Sequence, residues 1–232
     1  MQNCVRSATA ILQALCIHIV IVLGTAAALF MQPSFLINEC RQLDTAAELK
    51  MRECDVETAV TVMYRAAFDG DRLTYMTHVR GTYTDFFTVR DAEHLKSVNS
   101  VINRLRIVLA VAASAAAAVT VAATARRWRY HLAVWYLRVT ASFAVLAVLT
   151  VLSASHRIIY IVNNMHRLLF SDSLWILNPA EDNMIWFFPE KMYFDAGVRF
   201  GCTVAGINAV LIIACAACIG RYRRHNACST AS

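Results

Sequence analysis

Acidic residues are missing from three short stretches of this chain. The first eight residues carry Arg6, the link 126–138 carries Arg126, Arg127, Arg129 and Arg138, and the tail carries Arg221, Arg223 and Arg224; none of the three holds an Asp or Glu. All 16 acids lie elsewhere. Motif absences narrow the chemistry further. There is no P-loop, Gly-rich phosphate loop, paired zinc-ligand spacing or serine-nucleophile elbow, which removes the sequence warrant for nucleotide, structural-zinc or serine-hydrolase chemistry. No Asn-x-Ser/Thr sequon occurs, and Asn38-Glu39-Cys40 is only the cysteine variant. Internal repeats and intramembrane carboxylates, which mark many transporters, are not evident.

What is present is apolar length. Four uncharged runs, Thr9–Met31, Ile107–Ala125, Val139–Ser155 and Phe200–Gly220, divide the chain. A bilayer core of about 30 Å needs about 20 apolar residues in a helix, and a helix satisfies its own backbone polar groups in lipid. The pattern predicts an all-α membrane protein, a four-helix bundle forming a single domain over residues 1–232. Its spans lie at about 9–31, 107–125, 132–155 and 200–220, its outer loops at 32–106 and 156–199, its link at 126–131 and its tail at 221–232. Short Lys/Arg-rich segments stay cytoplasmic, so both termini are expected inside, in a multi-pass plasma-membrane protein. Arg126, Arg127, Arg129, Arg221, Arg223 and Arg224 then face anionic lipid, and the net charge of +6 does not imply nucleic acid. A cleaved signal peptide, with Arg6 as n-region and a site near Ala26–Ala28, is the competing reading of the first run.

The loops carry the remaining signals. Thr45–Arg65 has helical spacing with Asp44 as N-cap, Asp69-Gly70-Asp71 is a turn, and Leu73–Val89 reads as extended with a break at Gly81, so the larger first loop is expected partly β and packed on the second. Asp91 caps a helix that continues into the second span, and apolar spacing prolongs the third helix to about Phe170. Cys40 and Cys54 share the oxidising side and are candidates for a disulfide; two free thiols or a bond to another chain are the alternatives. Cys4, Cys218 and Cys228 are candidates for palmitoylation. Cys215 and Cys218 read as core packing, and His18 as a buried neutral residue with a partner across the bundle. Gly24 with Ala28, and Gly201 with Ala205, are small-residue pairs suited to close helix approach, and Asn208 is suited to a hydrogen bond between helices. Trp186, Phe187 and Phe188 form either an interfacial belt or an exposed patch for a partner.

The plan of a large first loop, a smaller second one and a basic inner tail resembles the claudin and peripheral-myelin-protein superfamily. The first loop lacks tryptophan and so departs from claudins proper. Cys40 after the first span, Tyr64-Arg65-Ala66-Ala67-Phe68-Asp69-Gly70 in mid-loop, Phe86-Phe87, and Tyr193-Phe194 before the fourth span resemble clarins. That resemblance implies a non-enzymatic plasma-membrane organiser of membrane–cytoskeleton, synaptic or sensory structures. It implies lipids and other membrane or cytoskeletal proteins as partners, leaves a homo-oligomer open, and implies no cofactor, metal or catalytic residue. Two rival roles follow from the same plan: a junction protein controlling paracellular permeability, with Glu48, Glu53, Asp55 and Glu57 favouring cations, and an auxiliary subunit of an ion channel. Replacing Arg221, Arg223 and Arg224 by glutamine should lower surface delivery or alter orientation; a terminal tag tested for accessibility in intact cells checks this, and an unchanged pattern argues against the charge rule.

Overall fold

The computed structural model describes residues 2–126, 128–153 and 158–230. Eight helices occur among them: α1 Gln2–Phe30, α2 Pro33–Gln42, α3 Thr45–Leu49, α4 Glu53–Asp69, α5 Val89–Ala125, α6 Arg129–Ser153, α7 Ile158–Leu169 and α8 Glu190–Thr230. One hairpin, β1 Met76–Val79 and β2 Thr82–Asp85, and a 3-10 turn, Asn183–Phe187, complete the chain. Four helices contain segments long and apolar enough to cross a membrane: Asn3–Phe30, Val89–Ala125, Arg129–Thr150 and Glu190–Asn226. The chain divides into two compact units. A membrane unit comprises Met1–Thr25, Ile107–Ser155 and Arg199–Ser232, and a second unit comprises Ala26–Arg106 and His156–Val198.

Several polar side chains in the membrane unit are paired between helices, which offsets the cost of keeping them from water. Gln13 Nε2 donates to Thr120 Oγ1 at 2.9 Å. His18 uses Nδ1 on the Ala14 carbonyl at 2.7 Å and has Thr140 Oγ1 3.1 Å from Nε2. The Tyr136 and Phe143 rings stack on its imidazole. The Tyr136 hydroxyl donates to Asn208 Oδ1 at 2.8 Å. The small-residue pairs behave differently. Gly201, Ala205 and Ala28 are exposed, and a side chain built at Gly24 or Gly201 would meet nothing within 4 Å, so neither pair marks a close helix crossing in this structure. Val121, Val210 and Ile213 are about two-thirds exposed, the condition of a surface that faces lipid.

The second unit has a core of its own. Phe86 and Phe187 are buried and stack at 5.1 Å, with Phe87 edge-on to Phe86 at 4.9 Å. Leu36, Leu49 and Val60, from α2, α3 and α4, are buried in the same core. Asn183 Nδ2 donates to the Phe86 carbonyl at 3.0 Å and Thr88 Oγ1 to Asp182 Oδ1 at 3.2 Å, so the segment after α7 is hydrogen-bonded to the start of α5. The aromatic patch expected to face a partner is therefore largely interior: Phe187 is core, Phe188 is half-buried and stacks on Tyr193, and half-buried Trp186 lies under the Arg80 guanidinium at 5.3 Å. The expected disulfide is also absent. Cys40 lies on the buried face of α2 and its thiol is pushed up to about 11 by burial, whereas Cys54 is on the exposed face of α4, and both thiols are free.

Local chemistry sets the boundaries of these elements. The helix expected over Thr45–Arg65 is split, because Lys50 takes a left-handed conformation (φ 50°) and closes α3 before α4 begins. Asp44 is itself left-handed (φ 52°) and makes no side-chain cap bond. Gly70 (φ 79°) ends α4, where a left-handed residue is most readily glycine. The hairpin turn at Arg80-Gly81 has positive φ at both central residues, as a type I′ turn requires. At the start of α5 the cap is Thr88 and not Asp91. The Asp91 N–H donates to Thr88 Oγ1 at 3.1 Å while Asp91 Oδ2 accepts from the Thr88 N–H at 2.9 Å, a reciprocal capping box. Thr88→Ala should cost about 1–2 kcal/mol, seen as an apparent Tm lowered by several degrees in a thermal-stability assay in detergent, and Thr88→Ser should restore most of it.

Candidate active site

Helix α5 has 37 residues and rises about 55 Å, well beyond a bilayer core of about 30 Å. Its uncharged part starts at Ile107, and the residues before that belong to the second unit. Within that leading part Arg90, His94 and Ser97 share one helix face, spaced i, i+4 and i+7. Helix α7 carries His166, and the loop after it carries Phe170, Asp172 and Trp175. These two elements bring their histidines together, with ring centroids 6.2 Å apart.

The environments of the two rings differ. His94 is 6 % exposed, and its Nδ1 is buried without a partner among the described residues. Phe170 lies edge-on to it at 5.2 Å. Burial, reinforced by neighbouring His166 and only partly opposed by Asp172, lowers its pKa to about 4. His94 is thus a neutral imidazole at physiological pH. His166 is half-buried, with its ring stacked between Trp175 at 5.2 Å and Phe170 at 5.7 Å. Its Nδ1 lies 2.8 Å from the Val162 carbonyl. A carbonyl only accepts, so Nδ1 carries the proton and Nε2 presents a lone pair in the neutral ring.

Asp172 holds this arrangement. Its carboxylate accepts from Ser97 Oγ on α5 at 3.3 Å and from the Leu174 N–H at 3.1 Å, and its backbone carbonyl accepts from Trp175 Nε1 at 3.1 Å. The Arg90 guanidinium donates through Nη2 to the Ser173 carbonyl at 3.1 Å, while its Nε–H is buried and unpartnered among the described residues. Arg90 Nε and His94 Nδ1, on residues one helical turn apart on the same face of α5, both leave hydrogen-bonding capacity unused among the described residues. A basic nitrogen, a neutral imidazole and a guanidinium N–H beside aromatic walls are the parts needed to move a proton while a carbonyl oxygen gains charge. A cavity of about 550 Å³ lies beside Leu73, Ala92 and Lys96 on the other face of α5 and includes neither histidine. Among the described residues no group of three His, Cys, Asp or Glu is placed to hold a metal ion.

The family model described as lipoprotein intramolecular transacylase Lit matches residues 11–194. The chain belongs to the Lit family. The fold agrees. The in meso structure of Lit from Bacillus cereus superposes with TM-score 0.74, covering 96% of this chain and 99% of that chain at 14% identity. Two further structures of the same protein, with one histidine replaced by alanine or by arginine, each give TM-score 0.72 at 13% identity, covering 96% and 97% of this chain and 97% and 96% of those chains. No curated protein matches the chain significantly.

Family membership overturns the clarin resemblance. It also overturns the scaffold, junction and channel-auxiliary roles, the sensory association and the non-enzymatic reading, since Lit is an enzyme family. Four spans with a long first loop form a plan that unrelated families share, so the plan carried no information about chemistry. What stands is a largely helical, membrane-integral protein with four candidate spans.

The residues proposed from sequence lie elsewhere. Arg126, Arg129, Arg221, Arg223 and Arg224 are exposed on the membrane unit, and Arg127 lies outside the described residues. Cys4 is exposed and Cys218 half-buried, and the Cys228 side chain is outside the described set. His94, His166, Arg90 and Asp172 were missed.

A buried neutral histidine has a pH signature. The unfolded chain binds a proton near pH 6.5 and the folded one only near 4, so the stability held by neutral His94 is complete above about 6.5 and is lost as pH falls towards 4. The apparent Tm of the protein should drop over that window, and His94→Gln should flatten the drop; an equal drop in both proteins would contradict this environment.

Proposed function

We propose that this chain is a membrane-integral acyltransferase that moves an acyl group from one position to another within a single lipoprotein. The reading rests on family membership and on the His94–His166 pair, two imidazoles in contrasting environments beside Arg90. In such a transfer an acyl–oxygen bond breaks and a bond from the same carbonyl carbon to another nucleophile of the same molecule forms. His166 Nε2 takes the proton that the attacking group loses and returns it to the departing oxygen, so the proton count balances at one side chain. His94, kept neutral, and the Arg90 Nε–H donate to the oxygen of the tetrahedral intermediate, where developing negative charge makes each donor stronger than in the ground state. Asp172 positions Trp175 against His166. Phe170 and Trp175 supply apolar walls that keep the rings out of bulk water.

The orientation is part of the same reading. It takes both termini as inside a multi-pass plasma-membrane protein and residues 32–106 and 156–199 as outside; the acid-free, arginine-bearing ends and link support this.

Purified protein incubated with a synthetic diacylated lipopeptide should give a product of unchanged mass whose fragment ions place one acyl chain at a new position. A mixture of two isotopically distinct substrates should show no crossover. His166→Ala should lower the rate by about 10²–10⁴-fold, and Arg90→Gln by about 10²–10³-fold, mainly in kcat. Retention of more than a tenth of the activity by His166→Ala would sink the assignment of the proton carrier.

A further inference from the structure

The membrane unit contains a second cavity, about 820 Å³, that the histidine chemistry does not use. Its volume lies within the range of about 300–1,000 Å³ typical of small-molecule sites. The lining is chemically divided along α8. Ala214, Ala217 and Arg221 follow one another on one helix face at i, i+3 and i+7, so about 10 Å of wall runs from apolar to cationic. Arg129, the first residue of α6, adds a second guanidinium to the cationic end. Tyr130 and Tyr222 stack there at 4.6 Å and tie α6 to α8.

The charge at this end has no internal counterion. The membrane unit contains nine arginines and no Asp or Glu. Arg6 and Arg126 stand over the Trp128 ring at 5.4 and 5.3 Å, whereas Arg129 and Arg221 line the cavity. A groove with an alanine wall and two guanidiniums at its mouth matches an anion that carries an apolar tail. Free phosphate would leave the alanines uncovered, and a zwitterionic headgroup would bring a cation against the arginines.

We propose that this groove is a binding site for one anionic phospholipid, its phosphate between Arg129 and Arg221 and an acyl chain along Ala214 and Ala217. Native mass spectrometry of the full chain, released from nanodiscs of equal phosphatidylglycerol and phosphatidylcholine, tests it. The protein should retain one phosphatidylglycerol in preference to phosphatidylcholine by about tenfold or more. The double variant Arg129→Gln/Arg221→Gln should lose it, and the charge-matched Arg223→Gln/Arg224→Gln should keep it. Ala217→Phe should exclude the lipid with both rim cations in place, which decides the matter should the first double variant fail to fold. Equal loss in the two double variants would show only diffuse surface charge and overturn the site. Equal retention of phosphatidylcholine, or displacement by millimolar inorganic phosphate, would overturn the lipid assignment.

Discussion

Continuous helix longer than a bilayer is the constraint on which the site depends. The 37 residues of α5 cannot all lie in hydrocarbon, and the charges before Ile107 show which part does not. A helix end outside lipid still has four backbone N–H groups to satisfy. Thr88 and Asp91 do so reciprocally, and Thr88 also reaches Asp182 in the second loop. The cap that begins the helix is thus also a clamp between two segments distant in sequence. Phe86 against Phe187 covers that clamp with apolar contact. Six residues after the cap, under two turns, stands His94, so its position follows from the same few interactions that start the helix. The Thr88 cap and the histidine site are therefore coupled, although Thr88 touches neither ring.

The two imidazoles are alike in sequence and unlike in place. Burial beside Phe170 disfavours the charged form of His94, and nearby His166 disfavours it further. His166 is less enclosed, and one of its nitrogens is committed to the Val162 carbonyl. That commitment fixes which nitrogen faces outward. A pair in which one ring stays neutral and the other presents a lone pair divides the work of donation and acceptance without any carboxylate at the rings themselves. Asp172 is hydrogen-bonded to Ser97 and the loop backbone and also acts on His94 through its charge, so its role is mechanical as well as electrostatic.

The spans were legible because about twenty uncharged, apolar residues in a row suit a helix in lipid and little else. The break at Lys50 was not legible, because left-handed lysine has no compositional mark. The aromatic segment Trp186–Phe188 shows the limit of density as a signal. Three adjacent aromatics satisfy a lipid belt, a partner or a core equally well, and only the opposing Phe86 decides. Cys40 and Cys54 were paired on compartment alone, whereas helix faces place one thiol inward and the other outward. The histidines left a fainter trace. His94 stands 13 residues before the second apolar run and His166 stands 11 after the third, a near-equal spacing from the two runs. That symmetry is a weak signal, because single histidines outside apolar runs are common and nothing in their spacing shows that the two meet.

In the proposed reading, a reaction confined to one substrate molecule explains why so few residues need be committed to chemistry. Donor carbonyl and acceptor nucleophile arrive already joined, and well-oriented intramolecular partners reach effective molarities of about 10⁵–10⁸ M. No second substrate pocket is then needed beside the rings. What remains for the protein is to hold the reacting atoms, carry one proton and accommodate charge on one oxygen. The proposal gives those tasks to His166 Nε2, His94 and Arg90, whose contacts within the protein leave hydrogen-bonding capacity at each. In the proposed reading the orphan nitrogens of Arg90 and His94 differ from the other unpartnered buried atoms of the unit, such as Asp91 Oδ1 and Trp186 Nε1, in belonging to the helix face that meets His166, where a substrate carbonyl would need donors.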